Sequence, residues 1–205
     1  MSSARIHEPP RTRGRPRRAA ARPEIIEATL ELLAERGFQA ATMDAIADRA
    51  GVGKNTIYRR WASKEELVAD AVHDLSPEVY VLEGESLYAT LLHQIREVSR
   101  LFADPLLGRI LPGLLGELHS NPEFAHVWGE RVVRPYREAI DELLRQALER
   151  GELREGTDPD LIADLLVSPP FVRTLFPFGL ADAPALYAEQ LLDAIWHGVA
   201  PVDSA

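Results

Sequence analysis

Cysteine and long apolar runs are absent from this 205-residue chain. Without cysteine there can be no disulfide, no catalytic thiol and no cysteine-ligated zinc. A membrane-spanning helix needs about 20 consecutive apolar residues, and the basic N-terminus lacks the apolar stretch of a secretion signal. We therefore expect a cytoplasmic protein without a membrane partner. Its 46% content of hydrophobic residues is ordinary for a globular protein.

Motifs of catalysis and metal binding are also missing. Neither the nucleophile motif G-x-S-x-G nor the phosphate loop G-x-x-x-x-G-K-[ST] occurs. His126 and Glu130 have the spacing of two metal ligands on one helix face, but two ligands are too few for a zinc site. We therefore expect no enzyme, no metal and no cofactor.

Charge is divided unevenly along the chain. The formal net charge is −9, yet residues 1–61 hold 12 Lys and Arg against 7 Asp and Glu, a net charge of +5. The remainder holds 11 against 25, a net charge of −14. Such an asymmetry attracts a polyanion to one end and repels it elsewhere. The low overall pI therefore does not exclude DNA as a partner.

The basic end begins with an arginine-rich arm, residues 1–21. The first 22 residues hold seven arginines and one glutamate, and prolines interrupt them without any apolar periodicity. We expect this arm to be disordered when free. Arg13 and Arg15 lie in R-G-R-P, which resembles the core of an AT-hook that follows a narrow minor groove. The alternative is a loose polycation that adds salt-dependent affinity without sequence preference.

Residues 42–67 read T-M-D-A-I-A-D-R-A-G-V-G-K-N-T-I-Y-R-R-W-A-S-K-E-E-L. Apolar residues at intervals of three and four from Met43 to Ala50 predict a helix with one buried face. Thr42 is placed to cap its first turn, and Gly51 to end it in the left-handed conformation. A second helix follows directly. This outline is a helix-turn-helix.

The second helix is predicted from Lys54 to Trp61. At the α-helical angular spacing, Ile57 and Trp61 share one face, which we expect to be buried. The opposite face presents Asn55 and Arg59. An asparagine pairs bidentately with adenine and an arginine with guanine, so this face is predicted to read bases in the major groove.

Polar residues around this face suit the DNA backbone. Hydroxyl groups and cations bind phosphate oxygens, and the candidates are Thr42, Lys54, Thr56, Tyr58, Arg60 and Lys64. Ser63 and Glu66 form the pattern of a capping box that opens the next helix and places Lys64 beside the backbone. Any one of these residues alone is typical of a solvated helix face. Their grouping directly after a turn favours a DNA-binding surface.

Together with P-E-I-I-E-A-T-L-E-L-L-A-E-R-G-F at residues 23–38, this segment resembles the DNA-binding domain of the TetR family of transcriptional regulators. The resemblance covers residues 22 to about 72, and E-R-G-F, T-M-D-A-I-A, A-G-V-G-K-N-T-I-Y-R-R-W and S-K-E-E-L follow in family order and spacing. The family often has serine at Gly53 and phenylalanine at Trp61. Glycine is still an acceptable N-cap, and tryptophan still fills a core site. We place the DNA-binding domain at residues 22–68.

The rest of the chain, residues 69–205, shows no alternating strand pattern. The fold class is therefore predicted as all-α, a three-helix DNA-binding domain followed by a larger helical domain. We expect helices at about 63–75, 86–102, 106–110, 113–119, 122–150 with a kink at Pro135, 159–167 and 184–199, with a turn-rich link at 76–84 and a break at Pro169 and Pro170.

The resemblance implies that this larger domain binds a small-molecule effector and forms a homodimer through its last two helices. Apolar stripes on these helices are Leu161, Leu165, Leu166, Leu191, Leu192, Ile195 and Trp196, for which a place in the core of one chain is the alternative. A dimer also suits the DNA, since two reading helices on half-sites about 34–36 Å apart give usable specificity. We therefore expect a palindromic operator in double-stranded DNA.

Aromatic residues are the candidates for the effector pocket. They are Phe102, Phe124, Trp128, Tyr136, Phe171 and Phe176, with His93, Arg96, His119 or Arg173 as the polar group that orients the ligand. The alternative is ordinary helix packing.

The expected function is therefore that of a repressor, released from DNA when an effector moves helix four. An activator and a DNA-architectural protein without ligand control stay open as alternatives.

Overall fold

The computed structural model describes residues 22–79, 84–175 and 184–201, and helices account for all of the regular structure in these ranges. The prediction of an all-α fold is confirmed. The arginine-rich arm, with Arg13 and Arg15, and the predicted pocket residue Phe176 lie outside the described residues.

The helices follow in chain order. They are α1 (Arg22–Ala40), α2 (Met43–Arg49), α3 (Lys54–Tyr58), α4 (Lys64–His73), α5 (Leu87–Ala103), α6 (Pro105–Ser120), α7 (Pro122–Trp128), α8 (Arg134–Glu149), α9 (Pro159–Leu175) and α10 (Pro184–Val199). A π-helical turn, Gly129–Val133, joins α7 to α8 and is called the π segment below.

Local signals mark both ends of α2 and the start of α4. The Thr42 hydroxyl accepts a hydrogen bond from the amide of Ala45 at 3.2 Å, and Gly51 ends α2 with φ of 66°. The hydroxyl of Ser63 accepts from the amide of Glu66 at 3.2 Å. The Glu66 carboxylate accepts from the amide of Ala62 at 2.9 Å, one residue before the cap. The predicted starts of α2 and α4 are thus confirmed.

Helix α3 is shorter than predicted. It ends at Tyr58, and the amides of Arg60 and Trp61 then bond to the carbonyl of Ile57 at 2.8 and 3.0 Å in a tight turn. The prediction that α3 reaches Trp61 is wrong, because the chain must turn here to bring Ser63 to the start of α4. The Trp61 side chain is nevertheless buried, with 2% of its surface exposed.

The first core joins α1, α2, α3 and α4 to the middle of the chain. Ile25, Ile46, Ile57 and Leu67 are fully buried in it, and so is Phe124 on α7. This core therefore contains residues from both sides of residue 68. The domain boundary at residue 68 stays a prediction. A second core lies among α5, α8, α9 and α10.

Prolines interrupt the helices less than the sequence predicts. Helix α6 runs through Pro112 and α9 runs through Pro169 and Pro170, so the predicted breaks in both are wrong. A proline inside a helix costs about 3 kcal/mol, whereas each fully buried leucine contributes about 1.5–3 kcal/mol. Helix α6 buries Leu107, Ile110, Leu111 and Leu114 around its proline, which explains its continuity.

The kink predicted at Pro135 takes a different form. The irregular turn lies just before it, where the amide of Arg134 bonds to the carbonyl of Gly129, five residues back, instead of four. Pro135 has no N–H, and its ring needs space near the preceding turn. The wider turn of the π segment provides that space, so α7 and α8 form one continuous rod.

Candidate DNA-binding surface and effector cavity

The reading face of α3 separates buried from exposed residues. Ile57 has no exposed surface, whereas Asn55 and Arg59 are exposed on the other side. Tyr58 is 53% exposed although it is a large aromatic residue. The structure thus exposes the predicted base-reading residues Asn55 and Arg59 and the predicted backbone contact Tyr58, and their contact with DNA stays a prediction.

An ion-pair network holds this surface from behind. The indole N–H of Trp61 donates to Asp70 on α4 at 2.8 Å. The same carboxylate accepts from Arg131 of the π segment at 2.8 Å, and Arg131 also lies 3.0 Å from Glu66. These contacts raise the pKa of Arg131, chiefly through its hydrogen bond with Asp70. We call Trp61, Glu66, Asp70 and Arg131 the Asp70 network.

Arg22 supports the same carboxylates from the start of α1. It donates to Asp74 at 2.8 Å and lies 3.9 Å from Asp70. The hydrogen bond with Asp74 is the largest cause of the raised pKa of Arg22. Arg22 thereby connects the first turn of α1 to the last turn of α4.

Two of the predicted phosphate contacts are already engaged within the chain. Lys54 lies 2.5 Å from Asp44, and this hydrogen bond raises its pKa. The pair is well exposed, so its Coulomb attraction is screened and a phosphate can replace the carboxylate. Lys64 donates to the carbonyl of Phe38 at 3.0 Å, and its ammonium lies 3.9 Å from the centroid of that ring. Burial also lowers the pKa of Lys64. Because its ammonium already has these partners, a phosphate contact requires it to exchange or share them.

Gly53 forms the N-cap of α3 without a side-chain hydrogen bond. Its φ is −74°, which any residue can adopt, and a Cβ built there meets nothing within 4 Å. The position therefore has room for the serine that the family often carries. Glycine is not required here by the backbone.

A cavity of about 320 Å³ lies between the two cores. Four predicted aromatic residues line it, namely Phe102, Trp128, Tyr136 and Phe171. The rings of Phe102 and Phe171 meet edge to face with centroids 5.3 Å apart. Phe124 is buried completely in the first core, with its ring centroid 4.7 Å from that of Phe38, so the structure corrects its predicted place in the pocket.

The polar groups of the cavity differ from those predicted. His93, Arg96, His119 and Arg173 do not line it, and Arg96 pairs with Glu189 instead. The polar lining comes from Ser76, Tyr136, Arg137, Asp164 and Ser168. Arg137 pairs with Asp164 and lies 3.0 Å from Asp160. Apart from Tyr136, which was predicted as an aromatic pocket residue, sequence patterns give no sign of them, because they come from α8, α9 and the segment after α4.

The apolar stripes of α9 and α10 divide between core and surface. Leu166, Leu192 and Ile195 are buried in the second core, as the alternative interpretation proposed. Leu161 and Val172 are 55% and 49% exposed. These exposed residues leave α9 with apolar surface for a second copy of the chain, and the homodimer stays a prediction.

Clusters of metal ligands and membrane-spanning helices are both missing from the described residues. No three His, Asp or Glu side chains among the described residues are grouped to hold a metal ion. None of the helices in the described ranges has the length and apolar character to cross a membrane.

Comparison with known proteins gives matches along most of the chain. Residues 25–71 match the family described as bacterial regulatory proteins, tetR family, and residues 82–195 match the tetracyclin repressor-like C-terminal domain. Over 164 residues the chain is 32% identical to the uncharacterized HTH-type transcriptional regulator YdeS of Bacillus subtilis, covering 80% of this chain and 82% of the relative.

Two further matches bear on regulation. The chain is 29% identical to the DNA-binding transcriptional repressor TetR of Mycobacteroides abscessus, over 75% of this chain and 79% of that protein. Its fold is similar to that of the transcriptional regulator FadR from Bacillus subtilis in complex with stearoyl-CoA, with a TM-score of 0.65 at 21% identity. That alignment covers 85% of this chain and 97% of the FadR chain.

Proposed function

Because the chain belongs to the TetR family of transcriptional regulators, and so is a DNA-binding regulator and not an enzyme, we propose that it is a repressor released from a palindromic operator by a small-molecule effector. One observation carries the proposal: the Asp70 network joins the back of the reading helix to the wall of the cavity. A regulator of this kind acts on DNA in the bacterial cytoplasm.

The π segment is the element shared by the network and the cavity. Arg131 contacts Asp70 and Glu66 on α4, whereas Val132 and Val133 line the cavity. A ligand that displaces this segment therefore changes the contacts of Arg131 as well. Since Asp70 also holds Trp61, such a change reaches the turn that ends α3.

Release requires that the ligand discriminate between two arrangements of the chain. A ligand shifts the equilibrium only if it binds the DNA-incompetent arrangement more tightly than the competent one. Like the π segment, helix α4 belongs to both the cavity and the Asp70 network, because Val72 on it lines the cavity and Asp70 on it holds Trp61. The structure of FadR with stearoyl-CoA supports control by a small molecule in this fold.

A homodimer supplies the second reading helix. We propose that α9 and α10 form its interface, with the exposed side chains of Leu161 and Val172 as contacts. A pair of α3 helices on successive major grooves reads half-sites about 34–36 Å apart, which requires a palindrome. The relative named as a transcriptional repressor supports repression over activation.

Selection of bound fragments from a random DNA pool tests this function most simply. We expect a palindrome, bound by the dimer far more tightly than random DNA at physiological salt. Recovery of unrelated sequences with equal affinities, and a steep loss of all binding with salt, would instead support the DNA-architectural alternative. Expression of a reporter behind the selected palindrome then separates a repressor from an activator.

A further inference from the structure

We infer that the cavity takes a neutral, compact and largely apolar ligand, which offers one hydrogen-bonding group to the hydroxyl of Tyr136. This inference rests on the proposed function, because it assigns a chemical class to the effector.

The size and walls of the cavity define the body of the ligand. Ligand sites span about 300–1,000 Å³, and this cavity of about 320 Å³ is at the small end of that range. Its walls are mainly aliphatic and aromatic side chains from α4 to α9, among them Leu101, Phe102, Leu111 and Phe171. A compact hydrocarbon skeleton of two or three rings fits such a space and removes apolar surface from water.

Tyr136 supplies the polar point of contact. Its hydroxyl oxygen is buried and has no hydrogen-bond partner among the described residues. Burial raises the pKa of Tyr136, so the phenol stays neutral and can donate or accept a hydrogen bond. An unsatisfied buried hydroxyl is costly, and a ligand with one donor or acceptor would remove that cost.

The charges around the cavity disfavour an anion. Arg137 is the cation in the lining, and Asp164 and Asp160 already engage both of its terminal nitrogens. These contacts raise the pKa of Arg137, chiefly through its hydrogen bond with Asp164. A ligand carboxylate or phosphate would have to compete with Asp160 and Asp164 for Arg137, and it would lie beside the carboxylate of Asp164.

A cation has no better site. Asp164 is held by Arg137, and in the adjoining recess, which also contains Tyr136, Asp74 is held by Arg22. The remaining carboxylate of that recess, Glu78, is exposed to water. In the lining of the cavity itself Arg137 and Asp164 compensate each other, and a neutral ligand leaves this pair intact.

Two fluorescent probes with the same skeleton test this assignment. N-phenyl-1-naphthylamine is neutral and carries one N–H, whereas 8-anilino-1-naphthalenesulfonate differs by a sulfonate. We expect the full chain to bind the neutral probe at least about tenfold more tightly than the sulfonate. Equal or tighter binding of the sulfonate would overturn the assignment of a neutral ligand.

Three variants locate the probe. Tyr136→Phe keeps the ring and should weaken the neutral probe about two- to tenfold through loss of one hydrogen bond. Tyr88→Phe is the matched control, because the Tyr88 hydroxyl bonds to Asp193 at 2.5 Å outside the cavity, and it should change nothing. Val167→Trp fills the space and should abolish binding in a chain whose circular dichroism shows a retained fold. Full binding by Val167→Trp, or no loss with Tyr136→Phe, would contradict the site.

Operator affinity is measured separately, so that the two proposals can fail independently. A neutral probe that occupies the cavity without changing operator affinity would leave the ligand class intact and contradict release by cavity occupation. Release from the operator by anionic compounds that bind Val167→Trp and the natural chain equally would support a ligand-controlled repressor and overturn the cavity assignment.

Discussion

The surface of α3 and the cavity behind α4 offer opposite physical surroundings to a partner. Around α3, Lys54, Asn55 and Arg59 are exposed, and the single ion pair of Lys54 is screened by water. At the cavity the walls are apolar, and Arg137 is bound by two carboxylates. The first arrangement suits a polyanion that brings its own charge, and the second suits a partner that brings none.

The two regions also differ in how their positions are held. Short helices with caps and a glycine turn place the α3 surface, so each element is defined within a few residues. The cavity exists only where helices from both cores meet. The Asp70 network is the polar connection between the two regions. Variants in the α3 surface, in the network and in the cavity therefore show whether DNA binding and ligand binding depend on each other.

Removal of the Trp61 side chain should have the largest effect. Trp61→Ala leaves a cavity in the first core and removes the hydrogen-bond donor of Asp70, so we expect the free energy of unfolding to fall by about 3–5 kcal/mol. Denaturant unfolding followed by circular dichroism measures this loss. Tyr58→Ala, on the exposed side of α3, is the control and should change stability by less than about 0.5 kcal/mol. Similar losses for both variants would contradict the burial of Trp61 and the exposure of Tyr58.

Replacement of Arg59 should affect base reading alone. We expect Arg59→Ala to weaken operator binding by about 1–3 kcal/mol and to relax base preference, because a bidentate contact with guanine is lost. Lys64→Ala is the matched variant, and it should weaken operator and random DNA alike. Fluorescence anisotropy on both DNAs compares the two. An equal loss on operator and random DNA for Arg59→Ala would remove its base-reading role.

Replacement of Arg131 should uncouple the two regions. Arg131→Gln removes the charge that binds Asp70 and Glu66, and we expect it to lower the coupling free energy between ligand and operator by about 0.5–2 kcal/mol. Arg134→Gln is the control, since Arg134 pairs with Glu130 on the surface of the same rod. The coupling follows from operator affinities with and without ligand. If both variants respond to ligand as the natural chain does, the network does not transmit the signal.

A serine at position 53 should have the smallest effect. Gly53→Ser fits without a clash and adds a hydroxyl that can cap α3, so we expect a stability gain of a few tenths of a kcal/mol. Binding of all DNA sequences should tighten slightly through one added phosphate contact. Gly53→Ala adds the Cβ without the hydroxyl and should give neither gain. A loss of operator binding with serine would show that the backbone at Gly53 approaches the DNA too closely for a side chain.

Sequence patterns predict the DNA-binding helices well for a physical reason. Thr42, Gly51 and Ser63 act on amides within a few residues, so their effect is visible in the sequence. The continuity of α6 through Pro112 was not visible, because it depends on burial against other helices. The same holds for α9 and its two prolines.

The candidate functional residues divide in the same way. The phase of α3 identifies Asn55 and Arg59 directly, whereas Arg131 reaches Asp70 across 61 residues of sequence and has no local signature. Aromatic residues of the C-terminal helices could be named as pocket candidates. Only their packing distinguishes Phe171, which lines the cavity, from Phe124, which fills the core.

Operator affinity with the cavity empty and occupied tests the central claim most directly. The selected palindrome is titrated with the full chain by fluorescence anisotropy, first without ligand and then with the neutral probe. The probe is present at a concentration that saturates its binding to the chain, as its own fluorescence shows. We predict a weaker operator complex when the cavity is occupied, and a smaller change in the Val167→Trp chain. An operator affinity that stays the same with the cavity fully occupied would contradict the coupling of cavity and reading helix.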